Sequence, residues 1–262
     1  MNDPWAVLRR FTQARIGLGR CGSGLPTAAL LEFQLAHAQA RDAVHVPWDL
    51  GRFAEEVRGL GVEPVTVETA VTDRGEYLRR PDLGRRLTQR SRERLAGLAS
   101  PMDVCLIVTN GLSSTAVERH GLPLLSAVLL ALGARHLSAG PLVLAPNGRV
   151  ALSDAVGELL GARAAVMIVG ERPGLSAADS LGIYLTYGPR PGTTDAQRNC
   201  ISNVRPPEGL GYAAAAEKLG YLAAEALSRR VSGVALKDEG ADRAPLPFPR
   251  EAPAAVASRL AP

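Results

Sequence analysis

Between residues 101 and 236 the chain switches repeatedly between short unbroken apolar runs and longer stretches with helical spacing. Residues 104–108 read Val-Cys-Leu-Ile-Val, without polar alternation, as expected of a strand covered on both faces. Residues 142–144, 164–169 and 181–187 offer three further strands. Helical spacing covers 124–132, then 153–160, where Gly161 supplies a stop, and finally an alanine-rich stretch from Tyr212 to about Arg230. Strands separated by helices need crossover connections, and repeated crossovers build a mostly parallel sheet. The expected fold class is α/β, a mostly parallel sheet with helices on both faces.

Upstream the pattern changes. Residues 4–42 read as mainly helical around a glycine-rich loop, and after Pro26-Thr27 the positions Leu30, Leu31, Leu35 and Ala38 fall near one helical face. Residues 45–75 mix prolines and glycines with one alternating run, Val65-Thr66-Val67-Glu68, which reads as a strand or an irregular arm. From Arg79 another helix is expected, with Pro81 in its first turn and Asp82 favourable to its dipole, ending near Ser100-Pro101. Thr115 with Glu118 suggests a capping box for the helix after residue 113. The organisation expected is a mainly helical region over 1–100, the sheet domain over 101–236, and a flexible, proline-rich tail over 237–262.

Composition bounds the class. With 46% hydrophobic residues in a chain of 262, a sizeable core is available. No continuous apolar run reaches the roughly 18 residues of a membrane span, and no apolar stretch follows a basic cluster near the start. The chain reads as soluble and intracellular. All but two of its 30 basic residues are arginine, a side chain that binds phosphate or carboxylate with a planar fork. Nucleic acid is a poor fit, because aromatics are only 4% and acids interleave with the bases.

In an open parallel sheet, ligands sit beyond the carboxyl ends of the strands. Three polar, glycine-bearing loops occupy such ends here: Asn110-Gly111-Leu112-Ser113, Gly170-Glu171-Arg172-Pro173-Gly174, and the start of a long loop over 188–211, Gly188-Pro189-Arg190-Pro191-Gly192-Thr193-Thr194. Glycine allows close backbone approach to a ligand, and Glu171 can accept from hydroxyl or amide donors. Cys105 reads as core, whereas Cys200 lies in a polar stretch where packing does not ask for a thiol. Gly17-Leu18-Gly19-Arg20-Cys21-Gly22 matches the dinucleotide pattern, but the residues before it do not form an apolar strand, so a contact loop is the better reading. All four histidines precede residue 137, and no hydrolase elbow, zinc-protease motif or P-loop occurs. With three widely spaced cysteines, no structural metal site or disulfide framework is expected.

Several segments together resemble one family. Leu78-Arg79-Arg80-Pro81-Asp82-Leu83-Gly84-Arg85-Arg86-Leu87, Asn110-Gly111-Leu112-Ser113, Gly157-Glu158-Leu159-Leu160-Gly161-Ala162, Val169-Gly170-Glu171-Arg172-Pro173-Gly174-Leu175 and Cys200-Ile201-Ser202-Asn203 run in the order of the small subunit of ethanolamine ammonia-lyase, from about residue 8 to 236. The resemblance implies a Rossmann-like C-terminal domain and a larger barrel partner that holds the catalytic side chains. It implies adenosylcobalamin (coenzyme B12) as cofactor, with ethanolamine converted to acetaldehyde and ammonia. It implies an assembly of six large and six small chains, and cobalamin contacts at Val150, Glu171 and Cys200, of which Val150 reads otherwise as an ordinary short-strand residue. No catalytic residue is expected in this chain.

Residues 137–262 contain no histidine and the chain has no D-x-H-x-x-G loop. The cofactor is therefore expected base-on, keeping its own lower ligand. The expected location is cytoplasmic, with a bacterial microcompartment of the ethanolamine-utilisation type as the alternative; some relatives carry a longer N-terminal extension associated with such compartments, whereas this chain begins almost at the shared region, which argues against encapsulation. The alternative from another class is a stand-alone nucleotide- or phosphate-binding regulator built on the arginines and glycine loops.

Overall fold

The computed structural model describes Trp5 and residues 7–240. One six-stranded sheet organises it, from β1 (Pro64–Thr66), β2 (Met102–Thr109), β3 (Ala139–Leu144), β4 (Ala162–Gly170), β5 (Leu181–Tyr187) and β6 (Arg198–Val204) in the order β1-β3-β2-β4-β5-β6. The first four of these neighbours run parallel, and β5 and β6 extend the sheet antiparallel beside β4. The expected α/β class with a mostly parallel sheet is what forms.

The unbroken apolar runs have a direct cause. Along β2, Val104, Leu106 and Val108 enter one core, with α2 (Leu50–Arg58), α6 (Leu122–Gly133) and α8 (Tyr212–Arg229). Cys105 and Ile107 point the other way, into a second core with α4 (Gln89–Ala96) and α7 (Leu152–Leu160). Burying each such side chain stabilises by roughly 1.5–3 kcal/mol, so both faces must be apolar and no alternation survives. The helical stretch Ser114–Gly133 is long and apolar enough by composition to cross a membrane, yet Leu124, Leu125, Val128 and Leu132 are buried against the sheet.

Three expectations are corrected. The single helix from Arg79 to about residue 100 forms as pieces: α3 (Arg74–Arg79) ends there, a 3-10 turn spans Leu83–Arg85, and α4 begins at Gln89 under a Thr88 cap. Pro81 pushes the preceding Arg80 out of the helical region (φ −123°, ψ 72°), and residues 86–88 instead bond the backbone of 68–70. The long loop over 188–211 contains β6, so Cys200 lies on a strand. β6 is an edge strand that buries only Arg198, Ile201 and Val204, and its polar exposed residues disguised it. The helix after β2 is capped by Ser113, whose Oγ accepts from the Ala116 N–H at 3.2 Å, while Glu118 accepts from the Asp49 N–H.

The N-terminal helix forms as α1 (Thr27–His45), and only Ala36 and Ala43 on it are buried. The glycine pattern at 17–22 lies on the approach to α1, far ahead of the first strand at Pro64, and so has no sheet to stand on. Of the tail expected over 237–262, the part beyond residue 240 lies outside the described residues.

Candidate functional site

After β2 the chain turns into α5 (Ser114–Ala116) and α6 on one face; after β3 it turns into α7 on the opposite face. Neighbouring strand ends that diverge in this way leave a crevice, the usual ligand position in such sheets. A crevice of about 410 Å³ opens there. Its walls come from the ends of β2 (Gly111, Leu112), β3 (Gly148 to Val150) and β4 (Val169 to Arg172), with Tyr184 from β5 and Tyr77 from α3.

Backbone proximity shapes these walls. Gly111 has φ +49°, and a Cβ there would lie 2.3 Å from Val169 Cγ2 and 2.4 Å from the Gly170 carbonyl. Only glycine permits that approach, which lets the Leu112 N–H donate to the Gly170 carbonyl at 2.9 Å. The turn after β3 is pinned to the end of β2: the Gly148 N–H donates to Thr109 Oγ1 at 2.9 Å, and the Asn147 N–H to Asn110 Oδ1 at 2.8 Å.

The segment 77–84 then clamps the same turn from outside the sheet. The Tyr77 hydroxyl donates to the Gly148 carbonyl at 3.2 Å, and the Arg149 N–H donates to the Gly84 carbonyl at 2.8 Å. Arg149 lies 4.1 Å above the Tyr77 ring and donates through Nη2 to the Tyr77 carbonyl at 3.0 Å. A Cβ on Gly84 would come within 2.9 Å of Arg149 Cγ. Arg74 sits 4.8 Å over the same ring and reaches the Gly111 carbonyl at 2.7 Å. Burial chiefly, with the Arg149 cation adding to it, draws Arg74 below the usual arginine range.

Two of the three residues singled out in the sequence, Val150 and Glu171, line this crevice. Val150 stands in the turn before α7 and not in a strand, because β3 has already ended at Leu144. Glu171 accepts from the Ser180 hydroxyl at 2.6 Å and the Asn203 N–H at 3.1 Å, both through Oε2. Cys200 is exposed on β6, directly opposite Tyr184 in the ladder, so Tyr184 is what joins it to the crevice. Packing around its sulfur pushes the Cys200 thiol up; the Tyr184 hydroxyl opposes this and the Glu171 charge adds to it. Burial, with the thiol beside it, raises Tyr184 in turn.

The loop at 188–194 is a correction. β5 runs antiparallel to β4, pairing Tyr187 with Ala164, so its C-terminus lies at the opposite end of the strands from the crevice. Sequence reasoning missed Tyr77, Arg149 and Tyr184. Tyr77 immediately precedes the Leu78–Leu87 motif and Arg149 adjoins Val150, but nothing local shows that the two meet. His120 is buried, with Nδ1 2.8 Å from the Tyr212 hydroxyl and Nε2 3.3 Å from Asp179, a satisfied core histidine. Among the described residues, no group of three or more His, Cys, Asp or Glu side chains converges on a metal position.

The fold and crevice define an α/β protein with an open crevice at the switch point of its sheet, the position at which sheets of this kind take their ligands. The profile of the ethanolamine ammonia-lyase light chain family matches residues 2–237. The ethanolamine ammonia-lyase small subunit of Azotobacter vinelandii is 55% identical over 90% of this chain and 89% of its own length. Those of Ralstonia nicotianae and Pseudomonas putida are 53% and 52% identical, each over 90% of this chain and 88% of their own. The chain belongs to the ethanolamine ammonia-lyase light chain family.

Proposed function

We propose that this chain is the small subunit of an adenosylcobalamin-dependent ethanolamine ammonia-lyase, closing one side of a base-on cofactor against a large barrel subunit. The observation that carries this reading is the switch-point crevice, which gathers Val150 and Glu171 and adjoins Cys200 through Tyr184. Its residues suit a corrinoid: an apolar Val150 for the macrocycle, carboxylate and hydroxyl groups at Glu171 and Tyr184 for peripheral amides, and arginine for an anion. The cofactor, when bound, supplies the radical chemistry by which ethanolamine becomes acetaldehyde and ammonia.

This chain orients and shields. Glu171, fixed by Ser180 and Asn203, offers a held acceptor, while the ordered turns at 111 and 148 exclude water from one side. The crevice is far smaller than a corrinoid, so the remaining surface of the ligand must be covered by another chain. α1 offers a contact for that chain, since Leu30, Leu31, Phe33 and Leu35 are all exposed on it. We place the complex in the cytoplasm, with six large and six small chains, and assign no catalytic side chain to this subunit.

Co-expression with the neighbouring large-subunit gene tests this. The two chains should co-purify, bind cobalamin with its absorbance bands, and deaminate ethanolamine, while this chain alone does not. Turnover by the isolated chain, or a soluble monomer that binds nucleotide and ignores the large subunit, refutes the proposal.

A further inference from the structure

Glu171 is held by one of its two oxygens. Oε2 takes the bonds from the Ser180 hydroxyl at 2.6 Å and the Asn203 N–H at 3.1 Å, and among the described residues no donor reaches Oε1. Gly182 leaves that second oxygen room, since a Cβ there would lie 3.0 Å from it. One oxygen is fixed and the other is left to accept from a ligand, so whatever places Ser180 and Asn203 also places the acceptor.

Both donors lead to Asp179. Ser180 is its neighbour in the loop between β4 and β5, and Arg205, two residues past Asn203 and just beyond β6, donates from Nε to Asp179 Oδ1 at 3.0 Å. The other oxygen, Oδ2, lies 2.9 Å from Arg119 Nη1 and 3.3 Å from His120 Nε2. Arg119 and His120 stand on a π-turn, Val117–Gly121, which interrupts the helical stretch ahead of α6; turns of this kind are frequent at functional sites. Burial alone would raise the Asp179 carboxyl, but the bonds from Arg119, Arg205 and His120 outweigh it and hold the group below the usual carboxylate range, so it stays charged at neutral pH. The loop does not need that charge merely to close. The Ser113 hydroxyl already donates to the Ala178 carbonyl, and the Glu171 N–H to the Ser180 carbonyl, each at 3.0 Å. We propose that Asp179 is a positioning residue for Glu171: by anchoring Ser180 directly, and Asn203 through Arg205, it fixes Oε2 and presents Oε1 to the ligand of the crevice. The inference rests on the functional reading above, in which that ligand is cobalamin.

The test uses the complex of this chain with its large subunit. Hydroxocobalamin is titrated against wild type, Asp179→Asn, Arg205→Met and Arg205→Lys, each with Glu171 intact and with Glu171→Ala. With Glu171 intact, Asp179→Asn and Arg205→Met should each raise the dissociation constant about fivefold or more. With Glu171→Ala they should change it by less than about twofold, because a residue that acts through another loses its effect when the other is gone. Arg205→Lys keeps the charge and should recover part of the loss. Deuterium exchange gives a second reading: the amides of Glu171 and Asn203 should exchange faster in Arg205→Met than in wild type. Losses of equal size with and without Glu171, or no loss where Glu171→Ala alone does weaken binding, overturn the positioning role. If Asp179→Asn fails to assemble, the Arg205→Met pair of titrations decides alone. If Glu171→Ala binds cobalamin as wild type does, the cobalamin reading of Glu171 fails. The positioning role then stands on faster exchange at 171 and 203 in Arg205→Met, and falls if that exchange is unchanged.

Discussion

Among the described residues Asp154 and Arg198 make the most buried ion pair, and cutting it should loosen α7 from the start of β6. Arg198 Nη1 and Nη2 lie 2.6 and 2.7 Å from the two oxygens of Asp154, with side chains only 2% and 3% exposed. The pair ties the first turn of α7, next to residues 149–151, to the start of β6, the strand of Cys200. Removing one member of a buried pair leaves an uncompensated charge, at a cost of about 3–5 kcal/mol. Arg198 keeps bonds to Thr186 Oγ1 and the Thr193 carbonyl, both at 2.9 Å, and the exposed Asp195 carboxylate 3.5 Å from its Nε, so Asp154→Asn should fall at the low end, about 3 kcal/mol. At roughly 1.4 kcal/mol per decade, amides of α7 and β6 should exchange with deuterium about a hundredfold faster in the intact complex. The double variant Asp154→Leu/Arg198→Met buries no charge and should recover most of that protection. Asp154→Asn exchanging within about threefold of wild type, or the double variant exchanging as fast as the single one, would refute the reasoning.

Gly111→Ala should cost about 1–3 kcal/mol or more by urea unfolding, since its Cβ meets Val169 and the Gly170 carbonyl at a left-handed φ; an unchanged midpoint would contradict the close approach. Glu171→Ala should raise the cobalamin dissociation constant of the complex by about 10- to 150-fold, as a charge-assisted bond of about 1.5–3 kcal/mol would, and an unchanged titration removes Glu171 from the site. Among the cysteines, Cys105 is buried and pushed up to about 12, so iodoacetamide should reach it only on unfolding. Cys200 is accessible, but its thiol is raised. Its alkylation should therefore run slower than that of glutathione at neutral pH and keep accelerating as pH rises past the ordinary thiol range; a flat profile there denies the shift. Cob(II)alamin bound to complex carrying ¹⁵N-labelled histidine should show no histidine coupling by EPR, and such coupling would exclude the base-on state.

The sheet was legible because its strands are buried on both faces: 104–108 and 164–169 have no polar residue to confuse with a turn, and the structure extends each by only a few residues. β6 was not legible, because an edge strand buries only Arg198, Ile201 and Val204 out of seven residues and reads locally as a polar loop. Strand direction was hidden too. No local pattern tells that β5 returns antiparallel, and that alone moved the 188–194 loop from the crevice to the opposite end of the strands. At the site, Gly111 and Glu171 could be picked from loop position, since glycine and a carboxylate at strand ends are features of single loops. Tyr77 and Arg149, 72 residues apart, could not: their meeting depends on Pro81 breaking a helix and on Gly84 leaving room for an arginine stem.

That long-range clamp gives the N-terminal chain a part in shaping the crevice. A switch-point crevice bounded only by the loops after β2, β3 and β4 would leave the 147–151 turn free to move, because the seven residues 145–151 between β3 and α7 lie outside any strand or helix. Tyr77 and Gly84 fix that turn through the Gly148 carbonyl and the Arg149 N–H, and their own position is fixed by the pairing of 68–70 with 86–88. Preorganising a binding turn in this way lowers the ordering cost of association. The exposed apolar residues of α1 fit the same proposal at a larger scale: Leu31 is 58% and Leu35 60% exposed, surface that a partner chain would cover. On the proposed function, a corrinoid larger than a 410 Å³ crevice and the exposed apolar positions of α1 are both accounted for by one large subunit lying against this chain.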